Sequence, residues 1–103
     1  MKKSTKATAI PKEVKKKVWD RDLHRCIYCG RQVPVECACS HFIKRSHLGL
    51  GIEQNIVTAC HNCHYKYDFS DNYREMYKYT WNYLLKQYGT LDKEKLVYHK
   101  YNY

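Results

Sequence analysis

Two short cysteine motifs limit this chain more than anything else in it: Cys26-Ile-Tyr-Cys29 and Cys60-His-Asn-Cys63, with residues 30–59 between them. Four thiolates in two CxxC pairs are the usual ligands of a closed, tetrahedral structural zinc site. A metal held by both pairs would tie the first motif to the second and enclose everything between. That matters in a chain of 103 residues, because domains of this size often rely on a metal or disulfides to supplement a small core. Residues 1–25 are basic and polar and hold no apolar stretch of the kind an export signal needs. The expectation is therefore a reducing cytoplasm, where six cysteines point to metal rather than cross-links. Cys60 to His64 also fits the CxxCH pattern of covalent haem attachment. The missing export signal argues against that reading, as does the supply of methionine for a distal ligand, which is Met1 and Met76 alone.

Nineteen Lys and Arg face ten Asp and Glu, a net charge of +9. Such an excess suggests a polyanionic partner: DNA, RNA or an acidic membrane surface. No apolar run is long enough to span a bilayer, so a membrane-embedded protein is not expected.

Local patterns divide the chain into one domain, 1–103, with three parts. Residues 1–10 read as a flexible basic tail, 11–70 as the zinc-stapled core and 71–103 as a helical extension. Pro11 suits the start of a helix to about Arg21, in which Val14, Val18 and Trp19 form an apolar stripe and Lys12, Lys15, Lys16 and Lys17 cover the rest. The lysines suit either solvent or phosphate. Gly30 after the first CxxC permits a tight turn. Residues 33–43 alternate enough for a strand pair or hairpin, with Val33, Val35, Cys37, Cys39 and His41 on one face. Ile56 to Ala59 suggests a brief strand and 63–68 a helix. Asp71 is a plausible N-cap for a helix to Tyr88, ended by Gly89. Its stripe of Tyr73, Met76, Tyr77, Trp81, Leu84, Leu85 and Tyr88 reads as packing. Residues 92–99 could form a last short helix. Cys37 and Cys39 read as small buried residues, and His24, His61 and His99 as surface residues.

His64 follows Cys63 on a helix, where successive side chains point about 100° apart. If Cys63 faces the zinc, His64 faces elsewhere, toward the strand that carries His41.

CIYCG followed by CSHFIKRSHLGLGIEQNIVTACHNCHYKYD resembles the HNH endonucleases of the zinc-stapled kind found in phages and prophages, over about residues 14–70. The resemblance implies an α+β fold: a small ββα-metal, treble-clef-like finger with flanking N-terminal and C-terminal helices and a structural zinc. It implies a metal-dependent nuclease acting on DNA phosphodiesters by nicking or double-strand cutting, with His41, Asn55 and His64 as the His–Asn–His series. His41 would be the general base, since neutral imidazole suits that role near pH 7. His64 would hold a divalent ion, Mg²⁺, Mn²⁺ or Ni²⁺, against the charge developing on the phosphate. Asn55 would fix the loop that orients His41, or ligate the metal through its amide oxygen. Lys44 and Arg45 are placed to hold a phosphate oxygen. Many members of the family carry Asp just before the first histidine, as a metal ligand. Ser40 stands there in this chain, and His47, Glu36 and Asp68 are candidates to replace it.

Two other functions fit the same residues. One is a zinc module that binds nucleic acid without cutting, because fold does not fix function. The other, implied by the resemblance, is an accessory to phage DNA packaging that works with the large terminase, with 71–88 and the YHKYNY tail as its interface. The resemblance also implies a cytoplasmic setting in a bacterial host and a phage or prophage origin.

Overall fold

A computed structural model describes residues 3–99. In chain order it contains α1 (Lys3–Thr8), α2 (Lys12–Arg21), β1 (Ser40–His41), β2 (Ile56–Val57), α3 (His61–Phe69) and α4 (Tyr73–Tyr88). One-turn 3-10 helices lie at Val35–Cys37, Arg45–His47, Glu53–Asn55 and Lys93–Leu96. This is a small α+β fold. Its two antiparallel strands pair Ser40 with Val57 and His41 with Ile56, and α3 follows β2 to complete a ββα unit. Among the described residues no helix is long and apolar enough to cross a membrane.

The strands are short, yet they divide the core in two. Successive strand residues face opposite sides. Ile56 packs with Val18 and Ala38 beneath α2, while Val57 packs with Phe42, Leu84 and Leu96 beneath α4. α2 takes the expected course, with Pro11 extended just before its first residue and Val18 fully buried. α4 begins at Tyr73 after Asn72, one residue beyond the expected Asp71 cap. It ends at Gly89, whose φ of 75° is the left-handed conformation glycine adopts without strain. Tyr77, Trp81, Leu84 and Tyr88 of its apolar stripe pack into the larger core, and the Tyr77 ring lies 4.6 Å from that of Phe42.

Three expectations from sequence need correction. Residues 33–43 do not form a hairpin. After Pro34 the chain turns on itself, with the Cys37 and Ala38 amides donating to the Pro34 and Val35 carbonyls at 3.0 Å each. Those amides are spent locally, proline has none to give, and the alternation of Val33, Val35, Cys37 and Cys39 is never read by a sheet. The partner of β1 is β2, from beyond the loop. Residues 3–8 are not a loose tail but the helix α1. Six residues are too few to hold a helix alone; the buried Thr8 and a bond from the Gly51 amide to the Ala7 carbonyl, 3.1 Å, anchor it. The closing helix is one turn, 93–96, rather than 92–99. Val97 is extended and bridges Gly49, and the Tyr98 amide donates to the Leu48 carbonyl at 2.8 Å. Residues 100–103 of the YHKYNY tail lie outside the described residues.

One polar network joins α2 to the rest. The Arg21 guanidinium meets Asp22 through Nε at 2.7 Å and Nη2 at 3.0 Å. It also donates to the Glu53 and Ile56 carbonyls at 2.8 and 2.7 Å and to the Tyr88 hydroxyl at 2.9 Å. Asp22, buried, accepts in turn from the Thr58 amide at 2.9 Å and from the Tyr83 hydroxyl. Removing one partner strands the other charge in the interior. Asp22→Ala should therefore cost about 3–5 kcal/mol in urea unfolding of the zinc-loaded protein. A loss under about 1 kcal/mol, the range of an exposed pair, would show the network to be incidental.

Candidate active site and metal centre

The four motif cysteines converge. Cys26, Cys29, Cys60 and Cys63 place their sulfurs within 4.8 Å of one another, and the Cys29 and Cys60 sulfurs are 3.7 Å apart. Zinc bonded to sulfur at about 2.3 Å in a tetrahedron requires roughly 3.8 Å between sulfurs, so the spacing fits zinc. It is far beyond the roughly 2.05 Å of a disulfide, and all six cysteines are free. Local backbone places the set. Gly30, at φ 79°, turns the first knuckle, and its amide bonds the Cys26 carbonyl at 2.9 Å. Cys60 stands at the N-terminus of α3, where its carbonyl accepts from the His64 amide at 2.8 Å. Burial opposes ionisation of the Cys60 thiol. Hydrogen bonds from the Cys63 backbone and from the Cys63, Cys29 and Cys26 thiols outweigh it and hold the group at about 7, while burial pushes the Cys26 and Cys63 thiols up, so a metal has to displace their protons. Cys37 and Cys39 stay outside the set and are half-buried rather than buried.

His41 and His64 lie elsewhere. They line one cleft of about 630 Å³ together with Lys15, Lys44, Arg45 and Asp68, and with Ala9, Ile10, Cys39 and Phe69 at its walls. β1 carries His41, and α3 carries His64 and Asp68. Tyr67 fixes α3 against β1: its buried hydroxyl donates to the Phe42 carbonyl at 2.7 Å. One turn of helix brings His64 Nε2 to 3.3 Å from Asp68 Oδ2. His41 is half-buried, and its pKa is held below its ordinary 6.5 chiefly by that burial, with the charge of Arg45 adding to it and a hydrogen bond to the Thr8 carbonyl opposing. That direction favours the neutral ring at pH 7.

Asn55 does not line the cleft. It is fully buried, and its amide clamps the loop after β1. Oδ1 accepts from the Ile43 amide at 2.8 Å, and Nδ2 donates to the Ile43 and Leu50 carbonyls at 3.2 and 2.9 Å. Of the two roles open from sequence, this placement suits loop fixing and not metal ligation. Gly49 completes the clamp, for a Cβ there would sit 1.7 Å from the Ile43 carbonyl oxygen and 2.9 Å from Asn55 Nδ2. Asn55→Ala leaves three backbone groups of the half-buried Ile43 and Leu50 without this partner and should cost on the order of 3 kcal/mol. Gly49→Ala should destabilise the same loop. Thermal unfolding of both zinc-loaded variants checks this, and near-wild-type melting in each would refute the clamp.

Ser40 is buried, and its hydroxyl has no hydrogen-bond partner among the described residues. It alternates with His41 on β1 and does not reach the cleft. Of its candidate replacements, Asp68 lines the cleft, whereas Glu36 and His47 are exposed and do not. The Lys44 amine bonds the Asp68 carbonyl at 3.1 Å and lies 4.4 Å from the centre of the Tyr73 ring. Arg45 Nε donates to Thr8 Oγ1 at 3.1 Å. Both cations are thus held in place at the cleft rather than waving in solvent. Lys15 is the member of the lysine run that turns inward; Lys12, Lys16 and Lys17 are exposed. His24, His61 and His99 are exposed as expected. The part played by Thr8 had no signal in sequence.

Residues 26–69 match the family model described as HNH endonuclease. No curated protein and no solved structure matches the chain. The matched segment starts at the first zinc cysteine and ends with α3. It takes in both strands, His41, Asn55, His64 and Asp68, and leaves out α1, α2 and α4. Through residues 26–69, which also hold the four-cysteine cluster, the chain is similar to the HNH endonucleases.

Proposed function

We propose that the protein is a metal-dependent endonuclease that hydrolyses DNA phosphodiester bonds in the cleft between β1 and α3. One observation carries the reading: His41, His64 and Asp68 share a single cleft with Lys15, Lys44 and Arg45. An acceptor for a proton, a donor pair for a cation and fixed positive charge for a phosphate are the parts such hydrolysis needs.

His41, neutral at pH 7, takes the proton of the attacking water. Asn55 holds the loop that follows β1 and so keeps His41 and the two cations in register. Lys44, Arg45 and Lys15 draw the phosphate backbone in and balance its charge. The nitrogen of His64 and the carboxylate of Asp68 suit a small divalent cation. When bound there, Mg²⁺, Mn²⁺ or Ni²⁺ would offset the charge developing on the phosphate and the leaving 3′ oxygen. Asp68 thus supplies the carboxylate that Ser40 cannot.

Conversion of supercoiled plasmid to nicked or linear forms by the zinc-loaded protein, without added cation and in each cation, tests this. His64→Ala and Asp68→Ala should raise the cation concentration for half-maximal cutting by roughly tenfold or more. An unchanged cation requirement in both variants would remove these residues from the metal site.

A second reading is a zinc module that binds DNA without cutting. Ser40 favours it, since the usual carboxylate is missing there. Plasmid retarded on a gel by wild type, but left intact with every cation, would establish that reading instead.

A further inference from the structure

His41 is held by a helix outside the family segment. Its Nε2 lies 2.8 Å from the backbone carbonyl oxygen of Thr8, the last residue of α1. A carbonyl oxygen only accepts, so in the neutral ring Nε2 carries the proton and Nδ1 keeps its lone pair. That is the form a general base needs.

The contact belongs to a built interface. Thr8 is 3 % exposed. Its Oγ1 accepts from Arg45 Nε at 3.1 Å, and the Thr5 carbonyl accepts from Arg45 Nη2 at 3.5 Å. The Ala7 carbonyl accepts from the Gly51 amide at 3.1 Å. Gly51 is buried, and a Cβ there would stand 1.9 Å from the Ala9 carbonyl oxygen. Only glycine lets residues 7–9 lie where they do. Ala9 and Ile10 then continue as a wall of the cleft.

We propose that α1 is a working part of the active site: docked through Arg45 and Gly51, it presents the Thr8 carbonyl to His41 and fixes the tautomer and orientation of the base. This rests on the nuclease reading. Thr8 is a positioning residue that acts through its backbone, so what matters is where α1 lies. Undocking α1 slows turnover while zinc, His41, His64 and Asp68 all remain.

Two full-length variants test it. Gly51→Ala displaces residues 7–9 by collision, and Ala7→Pro breaks α1 from within without altering the 26–69 segment. Ala7→Ser is the control that keeps the helix. Zinc content and thermal unfolding identify the variants that stay folded. In wild type and Ala7→Ser, ¹⁵N NMR should show His41 as the Nε2–H tautomer with a slowly exchanging proton. In Gly51→Ala and Ala7→Pro that resonance should be lost, and kcat for plasmid nicking should fall on the order of 10²-fold with KM for DNA little changed. Loss of the resonance with turnover unchanged, or raised, overturns the proposal; in the latter case α1 is a plug. A wild type that cuts nothing overturns the nuclease reading and this proposal with it, and a persistent Nε2–H resonance then shows that the docking was not at fault.

Discussion

Cys60→Ser should unfold the protein rather than merely weaken it. Cys60 is buried at the head of α3 and packs with Cys26 and Ala59 in a small cluster of its own. Among the described residues the other apolar support of this cluster is partial: Tyr28, Val33 and Cys63 are half-buried around it. Structural zinc in small domains contributes on the order of 10–16 kcal/mol of apparent binding free energy at neutral pH. A domain's whole net stability is about 5–15 kcal/mol. Loss of one thiolate therefore exceeds what the two cores can make good. Chelation of the wild type should have the same effect, and so should acid, because protons compete with the metal for sulfur. Zinc analysis with circular dichroism checks this. A Cys60→Ser protein that melts cooperatively near the wild-type temperature would show that the metal is dispensable to the fold.

His41→Ala should lower the nicking rate by about 10²–10⁴, the range of a lost general base. The pH dependence adds a sharper expectation. Burial, and the charge of Arg45, lower the pKa of His41 from its ordinary 6.5, while the hydrogen bond to the Thr8 carbonyl pulls the other way and does not win. A general base works unprotonated. The acid limb of the activity should thus be centred below pH 6.5, where the ring takes up a proton. The pH–rate profile of wild type should show that acid limb, and His41→Ala should lack it. A limb centred above 6.5, or one that survives in the variant, would mean that another group titrates.

What could be seen in advance follows physical lines. The two CxxC pairs and the order of His41, Asn55 and His64 are local spacings that any fold of this kind must keep. α2 and α4 were legible because their apolar residues repeat at the helical period over ten and sixteen residues and because Gly89 marks an end. Residues 33–43 misled because alternation alone cannot tell a strand from a run of turns, and Pro34 decided the matter. α1 was hidden for a different reason. Its own six residues are too few to hold a helix; Arg45 and Gly51 dock it from across the chain. Asp68 was half legible: four residues after His64, it had to share that histidine's face of the helix, but only the fold shows that this face meets His41. The burial of Ser40 could not be read, since nothing before Val57 pairs with it.

The most direct measurement is nicking of supercoiled plasmid by zinc-loaded wild type and His41→Ala, side by side without added cation and in Mn²⁺, with retardation on a gel recorded for both. The account predicts cutting by wild type in Mn²⁺ alone, and equal DNA binding without cutting by the variant. Equal cutting by both proteins, or binding without cutting by both, would contradict it.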